Sequence, residues 1–308
     1  MRNAYISTLH QLAKSNENIL ALVADNGTIV YDKYREEFPD RFINFGISEA
    51  NMISVAAGLA SCGKIPFAYT IASFLIYRAF EQIRNDVCLQ KMNVKLVGIG
   101  CGFAYSDLGP THHTTEDIAL MQSLPGMTIF SPCDPLESKN VTVAAAQING
   151  PVYLRLATGG TPEIYEQDYG FKVGRGVTMR EGKELTIITT GGIVYEVLEA
   201  VDELEKEGIS VRVINMHTIK PLDRNIVLKA AEETQSILTV EEHSVTGGLG
   251  CAVASVVLEE GHTDVLFRKM GLKNTFPMGY GSYQDMKEMN GLSGKHIIRE
   301  VKKILNAK

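Results

Sequence analysis

The sequence predicts an α/β protein built as two doubly wound domains with mostly parallel sheets, and three observations carry that expectation. At 308 residues the chain exceeds one ordinary domain and divides naturally into two of about 150. Short β-branched and apolar runs alternate with helical stretches twice along its length, the pattern of a sheet covered on both faces. Hydrophobic residues make up 45% of the chain, enough for sizeable cores.

In order, Ile19 to Ala24, Arg41 to Phe45, Ile65 to Tyr69, Val94 to Ile99, Met127 to Phe130 and Val152 to Leu156 read as strands separated by helices. From Ala157 to Thr161 the chain turns into A-T-G-G-T, and it stays polar and turn-rich through Arg180 to Lys183. The link between domains is expected there, giving a first domain over residues 1–165 and a second over 180–308. A second alternation then runs through Leu185 to Thr190, Val211 to Asn215, Ile237 to Val240 and Val265 to Lys269. No internal repeat or low-complexity tract interrupts either half.

A net charge of −6 with dispersed Lys and Arg argues against a nucleic-acid surface. Met1 to Lys14 mixes Arg2, His10 and Lys14 with apolar residues, unlike a signal peptide, and no apolar run reaches membrane length, so the expected location is cytoplasmic. The five cysteines, Cys62, Cys88, Cys101, Cys133 and Cys251, are odd in number and form no C-x-x-C pair, and they read as buried thiols.

In such sheets ligands collect beyond the carboxyl ends of strands. Three segments follow strands directly: Asp25 to Thr28, Gly46 to Glu49, and Gly100 to His113. Within Gly46 to Met52, a single acidic residue, Glu49, sits between a strand and the apolar helix Ile53 to Leu59, with no obvious Lys or Arg neighbour. An ionisable group so placed either caps the helix or serves a specific chemical role. Further on, Ser73 reads as a helix N-cap, and Phe74, Tyr77 and Phe80 recur every three residues as an aromatic stripe, which suits a core or a flat heteroaromatic ligand. In the second half, T-G-G-L-G at Thr246 to Gly250 follows a strand and could open a helix onto an anion.

G-I-S-E-A-N-M at residues 46–52, S-F-L-I-Y-R-A-F-E-Q-I-R-N-D at 73–86, D-L-G-P-T-H-H at 107–113 and A-L-M-Q-S-L-P-G-M-T-I-F-S-P-C-D-P-L-E at 119–137 together resemble the pyrimidine-binding half of transketolases and of the related deoxyxylulose phosphate synthases. V-I-N-M-H-T-I-K-P-L-D at 213–223 and T-V-E-E-H-S-V-T-G-G-L-G at 239–250 extend the resemblance over nearly the whole chain. It implies thiamine diphosphate chemistry, in which a carboxyl group bonded to the pyrimidine N1′ promotes loss of the cofactor's C2 proton. Glu49 matches that carboxylate. Phe74, Tyr77 and Phe80 match the rings enclosing the pyrimidine, with Tyr77 as the main stacking residue, and Asp25 falls where the family contacts the cofactor, although an Asx-turn at D-N-G explains it nearly as well.

The family holds the diphosphate and Mg²⁺ through a G-D-G motif, which this chain lacks. The resemblance therefore implies the C-terminal subunit of a split transketolase, with the diphosphate and metal held by a separate N-terminal subunit in an α2β2 assembly. His112 matches the histidine that contacts the donor, while His113 reads as a neighbour without a direct role. Twelve residues earlier, where transketolases carry another substrate histidine, this chain has Gly100. Leu108 replaces their Asp, with Asp107 one residue before it. Thr158 aligns with the phosphate-gripping Arg, and Arg155, three residues away, is the candidate substitute, so the substrate tail is open between phosphate and another group. Glu241, Glu242, His243 and His217 read as structural or interfacial. Three functions compete at this point: ketol transfer, the beta subunit of a 2-oxo acid dehydrogenase, and a non-catalytic module; a deoxyxylulose phosphate synthase-like enzyme is a further alternative to the first.

Overall fold

The structure is a computed structural model describing residues 1–158, 160–277 and 279–307; Gly159, in the expected link, lies outside the described residues. Among the described residues, twelve strands form two sheets. The first six are β1 (Ile19–Val23), β2 (Phe42–Asn44), β3 (Ile65–Ile71), β4 (Lys95–Ile99), β5 (Thr128–Phe130) and β6 (Val152–Leu156). The rest are β7 (Val177–Arg180), β8 (Leu185–Thr189), β9 (Val211–Asn215), β10 (Thr218–Lys220), β11 (Ser236–Ser244) and β12 (Leu266–Leu272).

The first sheet has the order β10-β5-β6-β4-β3-β1-β2 and is parallel apart from β10. Every residue of β1, β4 and β6 is buried, as expected of strands covered on both faces. One core, around Leu22, Met52, Ile76, Leu96 and Ile129, lies under the helices Glu49–Ser61 and Ala72–Arg78. Another, around Tyr5, Leu9, Val97, Phe130 and Leu154, is closed by the helices Arg2–Ser15 and Pro135–Gln147. Lys95 is fully buried in β4, where its Nζ donates to the Ile148 and Gly150 carbonyls at 2.6 and 2.8 Å.

The second sheet has the order β12-β11-β8-β9-β7, with β7 antiparallel, and carries its own core on each face. Two strands escaped the sequence reading. β7 already belongs to the second sheet, so that sheet starts at Val177, ahead of the residue 180 expected from the polar run. β10 leaves the second domain and adds an antiparallel edge to the first sheet, binding the two together.

In each sheet the strand order changes direction about an early strand, and a crevice opens there at carboxyl ends: between β1 and β3 in the first, between β8 and β11 in the second. The second crevice is filled by the first domain. Gly191 N–H donates to the Ser131 carbonyl, the Thr190 hydroxyl reaches the same oxygen, and Arg155 Nη2 donates to the Glu242 carbonyl at 3.0 Å. Asp134 anchors the segment that leads toward the second domain, capping the helix Pro135–Gln147 with one oxygen and accepting the N–H groups of Ile164 and Tyr165 with the other.

The T-G-G-L-G segment is likewise occupied. Glu241 accepts from the N–H groups of Leu249 and Gly250 at 2.7 and 2.8 Å, so the chain's own carboxylate takes the helix N-terminus where the sequence allowed an external anion. The cysteines are all free, and four of them are at least half-buried; Cys62 departs from the expectation and is exposed. Among the described residues no helix is long and apolar enough to cross a membrane.

Candidate active site

The β1/β3 crevice is where the expected loops meet. Asp25, just after β1, takes a positive φ of 51°. Asn44, at the end of β2, secures it: Nδ2 donates to Asp25 Oδ1 at 3.1 Å, and Oδ1 accepts from the N–H groups of Asp25 and Gly46 at 3.0 Å. That bracket fixes the start of the segment that delivers Glu49, the first residue of the helix Glu49–Ser61.

Glu49 is only 4% exposed, but its carboxylate does not cap the helix. Instead Arg78 Nη1 donates to both carboxylate oxygens, at 3.0 and 3.1 Å. This corrects the expectation of a carboxylate without a basic neighbour: the partner is 29 positions away and is brought in by the helix Ala72–Arg78. The same guanidinium lies over the Phe74 ring, 4.0 Å from its centroid.

The aromatic stripe is also revised. Ser73 is not an N-cap; the helix begins at Ala72 after Ile71, and Ser73 is buried within it. The helix ends at Arg78, and Ala79 leaves helical geometry at φ −118°, ψ 19°, before the chain resumes at Phe80–Gln82 and passes into a π-helical turn at Ile83–Cys88. The break separates Phe80 from its two predecessors, and it packs against the Met52–Ile76 core. Phe74 and Tyr77 stay at the crevice. Tyr77 is 42% exposed and its hydroxyl bonds Glu116, which also accepts from Thr115.

Across from Phe74 stands His112, with ring centroids 5.0 Å apart and Nδ1 bonded to the Thr111 hydroxyl at 3.0 Å. The Tyr105 ring follows at 6.2 Å. Glu49, Arg78, Phe74, His112 and Tyr105 thus form one continuous wall. Neighbouring His113 is buried against Phe103, and burial lowers its pKa, leaving it a neutral packing group. Asp107 is exposed on the turn before Gly109, and Thr158 is half-buried with its carbonyl accepting from the Thr161 hydroxyl.

Arg155 is absent from this wall. It is 5% exposed, with Nε on Asp117 Oδ2 at 2.8 Å and Nη2 on the carbonyls of Thr114 and Glu242. Burial opposes its charge, but the surrounding groups, Asp117 foremost, together outweigh it, so the guanidinium is held charged inside the domain interface. The phosphate-binding substitute inferred from its position three residues before Thr158 is therefore corrected: β6 points this side chain inward. Glu242 is buried in the same interface, where burial raises its pKa, and it bonds the Tyr283 hydroxyl. Sequence reasoning passed over Arg78, Asn44, Glu116 and Tyr105; Arg78 stood within a quoted motif, while the others carried no spacing signal.

The pyrimidine-binding domain model of transketolase matches residues 1–162, and the transketolase C-terminal domain model matches residues 174–297. This chain belongs to the transketolase family. A putative transketolase C-terminal section from Methanocaldococcus jannaschii is 40% identical over 310 residues, covering 98% of this chain and 96% of that protein. A 6-deoxy-6-sulfo-D-fructose transketolase subunit from a Clostridium species is 36% identical, covering all of this chain and 95% of that subunit. Among solved structures, a split-gene transketolase described as an inactive β4 tetramer superposes with a TM-score of 0.90 at 41% identity, covering 99% of this chain and 98% of its own. The transketolase wall accounts for the site's composition. A buried carboxylate at one end, two ring faces beside it and an imidazole beyond them suit a flat, nitrogen-containing heterocycle such as the thiamine pyrimidine, with a polar substrate further along.

Proposed function

We propose that this chain is the C-terminal subunit of a split transketolase, moving a ketol unit from a ketose to an aldehyde with thiamine diphosphate. The observation that carries the reading is Glu49, a carboxylate 4% exposed at the crevice between sheet halves. Its partner Arg78 is itself half-exposed, so the buried carboxylate opens onto the crevice through that pair instead of being closed into the core. Match lengths support the split organisation, since relatives described as a section or a subunit align end to end with this chain. The dehydrogenase and non-catalytic readings have no corresponding support.

When bound, the cofactor would supply a carbon nucleophile at its thiazolium ring. Glu49 would hold the pyrimidine N1′ by hydrogen bond and shift a proton at that atom. For that, Arg78 must release at least one of the two carboxylate oxygens it now holds, and its half-exposed side chain has room to swing. Phe74 and Tyr77 would flank the pyrimidine, with Tyr77 steadied by Glu116, and Asp25, fixed by Asn44, would close the ring's other side. His112 would orient the donor's reacting carbons, with Asp107 and Thr158 nearer its tail. Mg²⁺ and the diphosphate fall to an N-terminal subunit, most simply in an α2β2 complex in the cytoplasm. The inactivity of the β4 relative fits such a requirement.

Calorimetry decides between a split and a self-sufficient enzyme. The purified chain should show weak or no binding of thiamine diphosphate with Mg²⁺, and binding and ketol transfer should appear together when its N-terminal counterpart from the same genome is added. Tight Mg²⁺-dependent binding by the chain alone overturns the proposal.

A further inference from the structure

Gly100 follows β4 with a φ of 81°, a conformation that favours glycine. What lies against its bare Cα is the Tyr105 ring: a Cβ there would sit 2.0 Å from Tyr105 Cε2 and 2.2 Å from Cδ2. The ring is therefore laid directly on the backbone, in space that any side chain at position 100 would claim. Its other edge faces His112, the last member of the wall that begins at Glu49. Beside its hydroxyl stands Asn26, from the loop that β1 contributes. The amide nitrogen of Asn26 is buried and, among the described residues, makes no well-formed hydrogen bond. Burial raises the pKa of Tyr105, and Arg2 and the Asn26 amide oppose that rise, so the phenol stays a neutral donor near neutral pH.

A buried amide donor whose one neighbour, the Tyr105 hydroxyl, gives it no well-formed hydrogen bond is costly, and the usual resolution is a ligand or an ordered water that both groups share. We infer that Tyr105 is a specificity-determining residue, its ring closing the far end of the substrate channel and its hydroxyl, with the Asn26 amide, holding a hydroxyl group of the sugar. Gly100 is the enabling half of this arrangement, because only a residue without a side chain lets the ring settle there. The inference rests on the ketol-transfer reading and adds to it the group that discriminates among donors. Both polar groups are neutral, so they read hydroxylation and bulk, leaving the charge of the donor's tail to residues elsewhere.

The test uses the complete two-subunit complex with thiamine diphosphate and Mg²⁺, D-ribose 5-phosphate as acceptor, and two donors that share a phosphate tail and differ by one hydroxylated carbon, D-fructose 6-phosphate and D-xylulose 5-phosphate. Tyr105→Phe should raise KM for the donors by about tenfold, with a smaller fall in kcat, because one neutral hydrogen bond is lost in substrate binding. Tyr105→Ala and Gly100→Ala, which remove the ring and displace it, should both change the ratio of kcat/KM between donors by about tenfold or more. Tyr195→Phe, on an exposed tyrosine of the second domain, sets the baseline. The inference is overturned if the complex is active but donor ratios and KM stay within twofold in all three variants. It also fails if the changes follow melting temperature alone, scaling every donor equally. A wild-type complex that transfers nothing overturns the ketol-transfer reading, and this inference with it.

Discussion

Replacing Arg155 by methionine separates two roles for that side chain, because the structure assigns all of its energy to the domain interface. The substitution keeps most of the aliphatic stem but strips the donors from Asp117 Oδ2, the Thr114 carbonyl and the Glu242 carbonyl. Asp117 is fully buried and keeps only the Tyr153 hydroxyl, at 2.7 Å, on that oxygen. Breaking a buried ion pair from one side typically costs about 3–5 kcal/mol, since the remaining charge stays desolvated and unpaired. Against a total stability of about 5–15 kcal/mol, that loss is large. Urea unfolding followed by far-ultraviolet circular dichroism should therefore show Arg155→Met shifted to a much lower midpoint with an unchanged slope. Pairing it with Asp117→Asn should cost less than the sum of the single changes, because the second substitution removes the stranded charge. A loss below about 1 kcal/mol refutes the assignment. So does unchanged stability with a large rise in KM for a phosphorylated donor, which would place the guanidinium on the substrate.

Two further expectations follow from the buried charges. Glu49→Gln should leave the fold intact while lowering ketol transfer in the assembled complex by about 10²- to 10⁴-fold; a variant keeping more than half the wild-type rate removes Glu49 from the chemistry. Burial pulls the pKa of Lys95 down to about 7, from the usual 10.5. Between those values the unfolded chain binds more protons than the folded one, so stability should rise with pH from about 7 toward 10. Lys95→Met should flatten that rise in a series of thermal melts, and identical slopes for the two proteins would contradict it.

The sequence made the doubly wound plan readable because buried parallel strands are continuous apolar runs, and β1, β4, β6 and β9 lie where those runs suggest. β7 and β10 were missed because they are short, antiparallel edge strands, and β10 pairs with a strand some ninety residues earlier. Glu49 stood out as a lone acid between two apolar segments. Its partner did not, because helical spacing assigns a face but not a rotation, and the unwinding at Ala79 alters where Tyr77, Arg78 and Phe80 point. The reading of Arg155 failed for a related reason: distance along a strand says nothing about which face is inward, and on β6 both faces are buried.

The filled crevice of the second sheet bears on how the molecule comes apart. A doubly wound domain ordinarily keeps its switch point free for a ligand, yet here Ser131 and Arg155 of the neighbouring domain sit in that socket as a resident guest would. Separating the halves would leave the Gly191 N–H and the Glu242 carbonyl needing water and would uncover the Arg155–Asp117 ion pair, a penalty borne by both domains at once. The two sheets, though each has its own cores, should melt in a single cooperative step.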